Sequence, residues 1–263
     1  MTWNNHIDKI VRDAGKRLTV IKRLPSNFSP YMKIHLYCTF VRPVLEYASV
    51  VFDDCSQYLT DHLESLQRQA MLTATRAYKR TPTSSLLKEC GLLSLKVRRI
   101  LAKLTLFFKM SVGKAPDYLM SLVPRATGDQ IDHVHNLRNS QDIRLSMIKK
   151  NYFLKSFIPS TIKIWNSLSA DLKSIATVDT FKLHLKRIYG KLECYKPYLS
   201  NPSIGHIHLS RIRMGLSGLN AQRHKFHLID FKSCEHCGAR SENDSHFLLS
   251  CPAYLVQPPD RNC

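Results

Sequence analysis

The chain lacks any apolar run of the ~18 to 20 residues that a membrane-spanning helix needs. Its opening residues, MTWNNHIDKI, contain no signal-peptide hydrophobic region. An intracellular protein, nuclear or cytoplasmic and not secreted, is therefore expected, with no membrane partner. The sequence is also poor in acidic residues, with 20 Asp plus Glu against 39 Lys plus Arg and a formal net charge of +19 over 263 residues. Such an excess goes beyond what solubility requires and points to a polyanionic partner, nucleic acid (RNA or DNA) before any other. There is no phosphate-cradling glycine loop and no G-x-S-x-G elbow, which removes two common frames for small-molecule chemistry. No small-molecule substrate is expected.

Paired carboxylates are missing as well. A nucleic-acid enzyme working through two metal ions needs two or three of them converging, because the ions clamp the attacking and leaving oxygens together. Asp53-Asp54, in SVVFDDCSQY, is the only adjacent acidic pair. No second acidic motif lies in strand context and helix-forming sequence surrounds the pair, so Asp54 is expected to cap or flank the next helix. No catalytic residue is assigned and the chain is not expected to be an enzyme. Strand alternation is absent beyond Val50 to Phe52 and Phe226 to Ile229, and no repeat period emerges. The expected fold is mainly α.

Helical periodicity is plentiful. Ile7, Ile10, Val11, Ala14, Leu18 and Ile21 form one stripe over residues 6–24, with Lys9, Arg12, Lys16 and Arg23 on the other side. A basic face of this kind serves either as solvated surface or as a phosphate contact. Ser29 and Pro30 signal the next helix start, followed by a stripe of Ile34, Tyr37, Cys38, Val41, Leu45 and Ala48 that Pro43 should kink or divide near Arg42. Leu59, Leu63, Leu66 and Ala70 mark a third helix ending in the basic tract Arg76 to Arg80. A short helix at 84–90 stops at Gly91. A longer one, 95–112, carries Val97, Ile100, Leu101, Leu104, Phe108 and Ser111 inward, with Phe107 and Phe108 read as core. Residues 1–126 thus form a first helical block. A polar linker is expected over 127–151, a small helical segment over 152–200 with a helix at 180–189, and a last part over 201–263. That part opens with a helix from His206 to Asn220, with Leu209, Ile212 and Leu216 inward and Arg211 and Arg213 outward.

One stretch specifies a chemistry. CEHCGARSENDSHFLLSC places Cys234 and Cys237 in a C-x2-C turn, His246 after eight further residues and Cys251 after four more. This is a Cys3His zinc-knuckle pattern: a tight turn delivers two thiolates, and a short downstream segment delivers an imidazole and a third thiolate to a tetrahedral ion. Gly238 suits the positive φ that such a turn often needs. Read instead as incidental cysteines in a turn plus a buried Cys251, the stretch leaves the position of His246 unexplained. His236 is a competing ligand by type, but its side chain should point away from a site closed by its neighbours. Four protein ligands close the site, so one Zn2+ would be structural. The remaining cysteines, at 38, 55, 90, 194 and 263, make no disulfide framework. Upstream, Arg211, Arg213, Arg223, His224, Lys225 and Lys232, with Phe226 and His227 among them, suit phosphate contact combined with base stacking. The alternative is ordinary charge on a helix surface.

MTWNNHIDKIV, KRL, LYCTFVRPVLEYASVVF and LESLQRQA together resemble the end of the reverse transcriptase and the thumb of non-LTR retrotransposons of the jockey and long-interspersed type. PSTIKIWNSL and TFKLHLKRIY are similar to the segment that follows the thumb there. RIRMGLSGLNAQRHKFHLIDFKSCEHCGARSENDSHFLLSCPAY resembles their terminal zinc-binding module. The likeness spans nearly the whole chain, in the same segment order. It implies a thumb-like block over 1–126 and Cys234, Cys237, His246 and Cys251 as zinc ligands. It also implies a duplex-gripping surface that adds Arg42 and Arg68 to the basic face of the first helix, and a palm with its aspartates lying upstream of Met1. The expected protein is a catalytically incomplete nucleic-acid-binding fragment. Two alternatives stand beside it: a non-catalytic component completing a palm-containing reverse transcriptase chain supplied in trans, and an inert pseudogene product.

Overall fold

The computed structural model describes residues 3–25, 28–124, 142–144, 151–190 and 204–253. The expected linker at 127–151 lies outside them apart from 142–144 and Asn151, as do Cys194, Cys263 and the last ten residues. The described residues are mainly helical and contain no strand; Val50 to Phe52 and Phe226 to Ile229 lie in turns and irregular chain. No described helix is long and apolar enough to cross a membrane. The chain divides into two compact units: unit 1 is Met1–Ile21, Leu36–Gln67 and Leu92–Glu193, and unit 2 is Lys22–His35, Arg68–Gly91 and Cys194–Cys263.

In unit 1, α1 (Asn4–Lys22) buries the expected stripe of Ile7, Ile10, Ala14 and Leu18, with Val11 at its edge. Past α2 (Pro30–Leu36), the chain widens into a π turn over Tyr37–Val41 before α3 (Arg42–Glu46). Pro43 explains this. It has no N–H to give and its ring would strike the carbonyl four residues back. The wider turn takes up the misfit, with the Arg42 N–H reaching Tyr37 O. Helix α3 ends at Glu46, so Ala48, expected on the buried stripe, is instead exposed at φ 52°. Tyr37 is fully buried and its hydroxyl donates to Gln67 Oε1 at 2.9 Å, while Gln67 Nε2 donates to Leu93 O at 2.9 Å. Burial pushes the Tyr37 phenol well above its ordinary value, and the neighbouring Cys38 and Glu46 add to the shift.

The main core of unit 1 forms where α6 (Leu95–Ser111) packs against α9 (Phe157–Asn166) and α11 (Val178–Tyr189). Between α6 and α9 come α7 (Asp117–Met120) and α8 (Asn151–Leu154), and α10 (Ala170–Lys173) precedes α11. Phe108 stacks on Phe181 with centroids 4.2 Å apart, and Trp165 lies 5.3 Å from Phe107. Both phenylalanines of α6 are core residues, as their pattern implied. The rest of the α6 stripe is shifted: Val97, Ile100 and Leu101 are only half-buried and Ser111 is exposed, whereas Arg99 and Lys103 are buried. Their charge is met by Asp53, which accepts from Arg99 Nε at 3.1 Å and from Lys103 Nζ at 2.7 Å. Asp54 does not cap α4 (Gln57–Thr75); it accepts from Trp3 Nε1 at 2.9 Å, and Ser56 Oγ meets the Leu59 N–H of the first turn instead. Asn166 holds Ile143 by both backbone groups, at 3.1 and 3.0 Å, and Lys173 pairs with Asp142 at 2.6 Å.

Unit 2 contains most of α2, whose first turn is capped by Ser29 Oγ, and the later part of α4. Helix α5 (Thr83–Cys90) is closed by Gly91 at φ 62°. The helix expected from His206 to Asn220 ends early, at Arg213. Helix α12 (Ile204–Arg213) stops because Gly215 turns left-handed at φ 66°. Its N–H reaches Ile212 O and that of Leu216 reaches Arg211 O, which together make a Schellman closure. Helix α13 (Asn220–Lys225) then starts afresh, and α14 (Asp244–Leu249) follows. Among the described side chains of α12, Ser210 is buried and Leu209 is exposed. Arg213 points at a partner: it forks onto the buried Glu89 carboxylate through Nε and Nη2.

Candidate metal centre

The C-terminal part of unit 2 has little apolar matter to fold on. Among the described residues 204–253 the buried apolar side chains are Leu216, Cys234 and Cys251, and two of these three are candidate ligands. Segments this small need a staple to be stable. The C-x2-C turn is set by backbone: Gly238 sits at φ 71°, its N–H reaches Cys234 O at 2.9 Å, and the Cys234 N–H reaches Ala239 O at 2.9 Å. A side chain at 238 would be strained by that φ. The second half of the site comes from α14. Asn243 caps it, accepting from the His246 N–H at 2.7 Å, which fixes the helix start and puts His246 in the first turn. The Cys251 N–H then bonds back to His246 O at 2.8 Å, folding the last ligand under the helix end.

The result is that one ligand atom from each of Cys234, Cys237, His246 and Cys251 lies within 4.8 Å of every other. Cys234 Sγ and Cys251 Sγ are 3.8 Å apart, and Cys237 Sγ is 3.2 Å from His246 Nε2. Two thiolates each about 2.3 Å from a tetrahedral ion stand about 3.8 Å apart, so the sulfur pair has the separation of a metal site and not of a disulfide. The donors fit: these four residues could hold one metal ion. His236 is exposed and lies outside the set.

Electrostatics favour ligand forms unevenly. Burial pushes the Cys234 thiol up, but the backbone N–H groups of Cys237 and His236 and the His246 side chain outweigh it, leaving it lowered to about 7. Cys251 is raised, by burial first and by the neighbouring Cys237 and Cys234 after that. A second layer supports the turn. Buried Glu242 accepts from the Asn220 N–H at 3.0 Å through Oε2, and its Oε1 lies 3.8 Å from Cys234 Sγ. Asn220 Nδ2 donates to Ser233 O at 3.0 Å, and the Glu242 N–H to Lys232 O at 2.7 Å. Sequence reasoning missed Glu242 and Asn220; no spacing rule marks them. Asn243 ahead of Asp244 was a readable helix-start signal.

The candidate cations fall into two groups. Lys9, Arg12, Lys16 and Arg23 are exposed, as are Arg223, Lys225 and Lys232, and none of the seven makes an ion pair within 4.0 Å among the described residues. The others are engaged within the protein. Arg42 lies 3.9 Å from Glu46, and Arg68 donates to Thr83 Oγ1 at 2.8 Å and to Lys79 O at 2.6 Å. Arg211 donates to Arg76 O at 2.9 Å, and Arg213 is held by Glu89. Phe226 and Phe231 stand exposed among the free cations in the sequence. No protein-family model, curated protein or solved structure matches the chain.

Proposed function

We propose that this is a non-catalytic nucleic-acid-binding protein related to the C-terminal part of non-LTR retrotransposon reverse transcriptases, gripping RNA or DNA through exposed basic helix faces and a module folded on one structural zinc ion. The observation that carries the reading is the convergence of Cys234, Cys237, His246 and Cys251 in a segment with almost no apolar core of its own. Three thiolates and one imidazole suit zinc above the harder divalent ions, and four protein ligands leave no open position for substrate. When bound, the ion supplies folding free energy to the module and no chemistry to a reaction.

The charge distribution supports the polyanion. Arg223, Lys225 and Lys232 are exposed in the unit that carries the ligands, alongside the exposed rings of Phe226 and Phe231, a composition suited to phosphate contact and base stacking. The cations of α1 form a second basic face in unit 1. Asp53 supports the non-catalytic part of the reading, because its carboxylate is already committed to Arg99 and Lys103. The test is fluorescence anisotropy of labelled single-stranded RNA and DNA over a salt series. If about six phosphates are contacted, affinity for a single strand falls by roughly 300-fold between about 50 and 200 mM salt. Absent binding, or an affinity indifferent to salt, contradicts the proposal.

A further inference from the structure

A cleft of about 200 Å³ in unit 2 gathers residues from stretches far apart in the sequence: Tyr78 of the basic tract after α4, Arg211 and Ile212 of α12, Gly218 and Leu219 of the following turn, and Phe247 of α14. Phe247 directly follows the ligand His246, so the fold of the Cys3His turn also fixes this wall.

Arg211 is the informative residue. Its guanidinium carbon lies 5.1 Å from the centre of the Tyr78 ring, and its Nη2 donates to Arg76 O, a carbonyl presented by a left-handed backbone at φ 51°. The side chain is thereby held in place, yet its Nε is buried and has no hydrogen-bond partner, one of two such side-chain atoms among the described residues. A buried donor left unpaired is costly, and a ligand bringing an acceptor would relieve it. The other walls are Ile212, Leu219 and Phe247, with His208 and Ser217 adding polar groups to the lining, while at Gly218 even an added Cβ would meet nothing within 4 Å.

A mostly apolar slot with two aromatic rings and one planar cation already tied to a carbonyl, and with only His208 and Ser217 as further polar side chains, favours a flat ring over a phosphate, which wants several charged donors at once. It suits a flat ring with an acceptor on its edge. We propose that this cleft takes one unpaired base of a single-stranded nucleic acid, packed against Phe247 and the Arg211–Tyr78 stack, with Arg211 Nε donating to a carbonyl oxygen of the base. Arg211 then reads a base and not the backbone, and strands are preferred to duplexes, whose bases are already stacked and paired. The inference rests on the nucleic-acid reading above and adds to it a preference for unpaired bases.

The test uses the full chain with its metal and three labelled probes: an oligouridylate, a strand of equal length made of abasic nucleotides, and a blunt duplex. The oligouridylate should bind about tenfold tighter than the abasic strand and tighter than the duplex. Phe247→Ala and Arg211→Lys should each bring the first ratio towards one without changing the slope of log affinity against log salt. Unchanged metal content in both variants shows that the module is intact. If Phe247→Ala loses its metal, Arg211→Lys, outside the ligand turn, decides the matter. Equal, salt-sensitive affinity for the base-bearing and abasic strands overturns the base pocket and leaves the nucleic-acid reading standing; no binding to any probe overturns both.

Discussion

Around Trp165, unit 1 coheres by area. Phe107, Phe108 and Phe181 bring large apolar faces together, and the surrounding leucines and isoleucines complete a core in which no single contact is decisive. Around Cys251, the C-terminal segment of unit 2 is built for cohesion by valence, on four residues that could hold one metal ion. Among its described residues this segment buries one leucine and two cysteines as its apolar residues, and its order draws on four candidate ligand atoms, a glycine-dependent turn, a capped helix and a buried Glu242. The first kind of order degrades gradually as methylenes are removed. The second is close to all-or-none, because a site missing one ligand loses most of its folding free energy.

Chelation should separate the two most sharply. With a strong chelator present, amide exchange protection should vanish from residues 232–251 and survive in α6, α9 and α11; equal loss in both places would contradict a metal-specific staple, since metal binding contributes roughly 10 kcal/mol or more to such modules. Phe181→Ala should do the reverse, lowering the stability of unit 1 by about 3 to 5 kcal/mol in denaturant titration while leaving metal stoichiometry unchanged. Arg213→Ala strands the buried Glu89 carboxylate. It should cost about 2 kcal/mol in unit 2, and Glu89→Gln combined with it should recover part of the loss.

The smallest effect concerns Tyr37. Its phenol is raised in the folded state, so folding favours the protonated form. Its contribution is complete below the unfolded phenol's value near 10 and is lost as pH climbs above that. Alkaline titration of stability should therefore show a decline above about pH 10 that flattens in Tyr37→Phe. That variant costs about 1 kcal/mol at neutral pH through the lost bond to Gln67.

The α1 stripe was readable because a solvated helix obeys its own period, and the Cys3His cluster was readable because a C-x2-C turn has few other uses. The register of α6 was not. Arg99 and Lys103 look like surface residues until Asp53 is known to face them, and that partner lies 46 and 50 positions away, beyond any local window. The division between α12 and α13 was open to inference from Gly215, but apolar spacing across the glycine suggested continuity and the left-handed closure prevailed. Arg213 carried the same difficulty at longer range: its partner Glu89 is 124 residues distant, and only the folded chain ties this basic residue to a buried carboxylate. Glu242 and Asn220 support the ligand turn from positions that no motif encodes.

The central claim is that Cys234, Cys237, His246 and Cys251 bind one metal ion on which the C-terminal module folds. The most direct measurement is elemental analysis of the purified full chain after desalting, beside the Cys237→Ser variant. The account predicts one zinc per chain in the first and a substoichiometric trace in the second. A metal-free wild-type chain that still shows protected amides at residues 232–251, or undiminished zinc in Cys237→Ser, would contradict it.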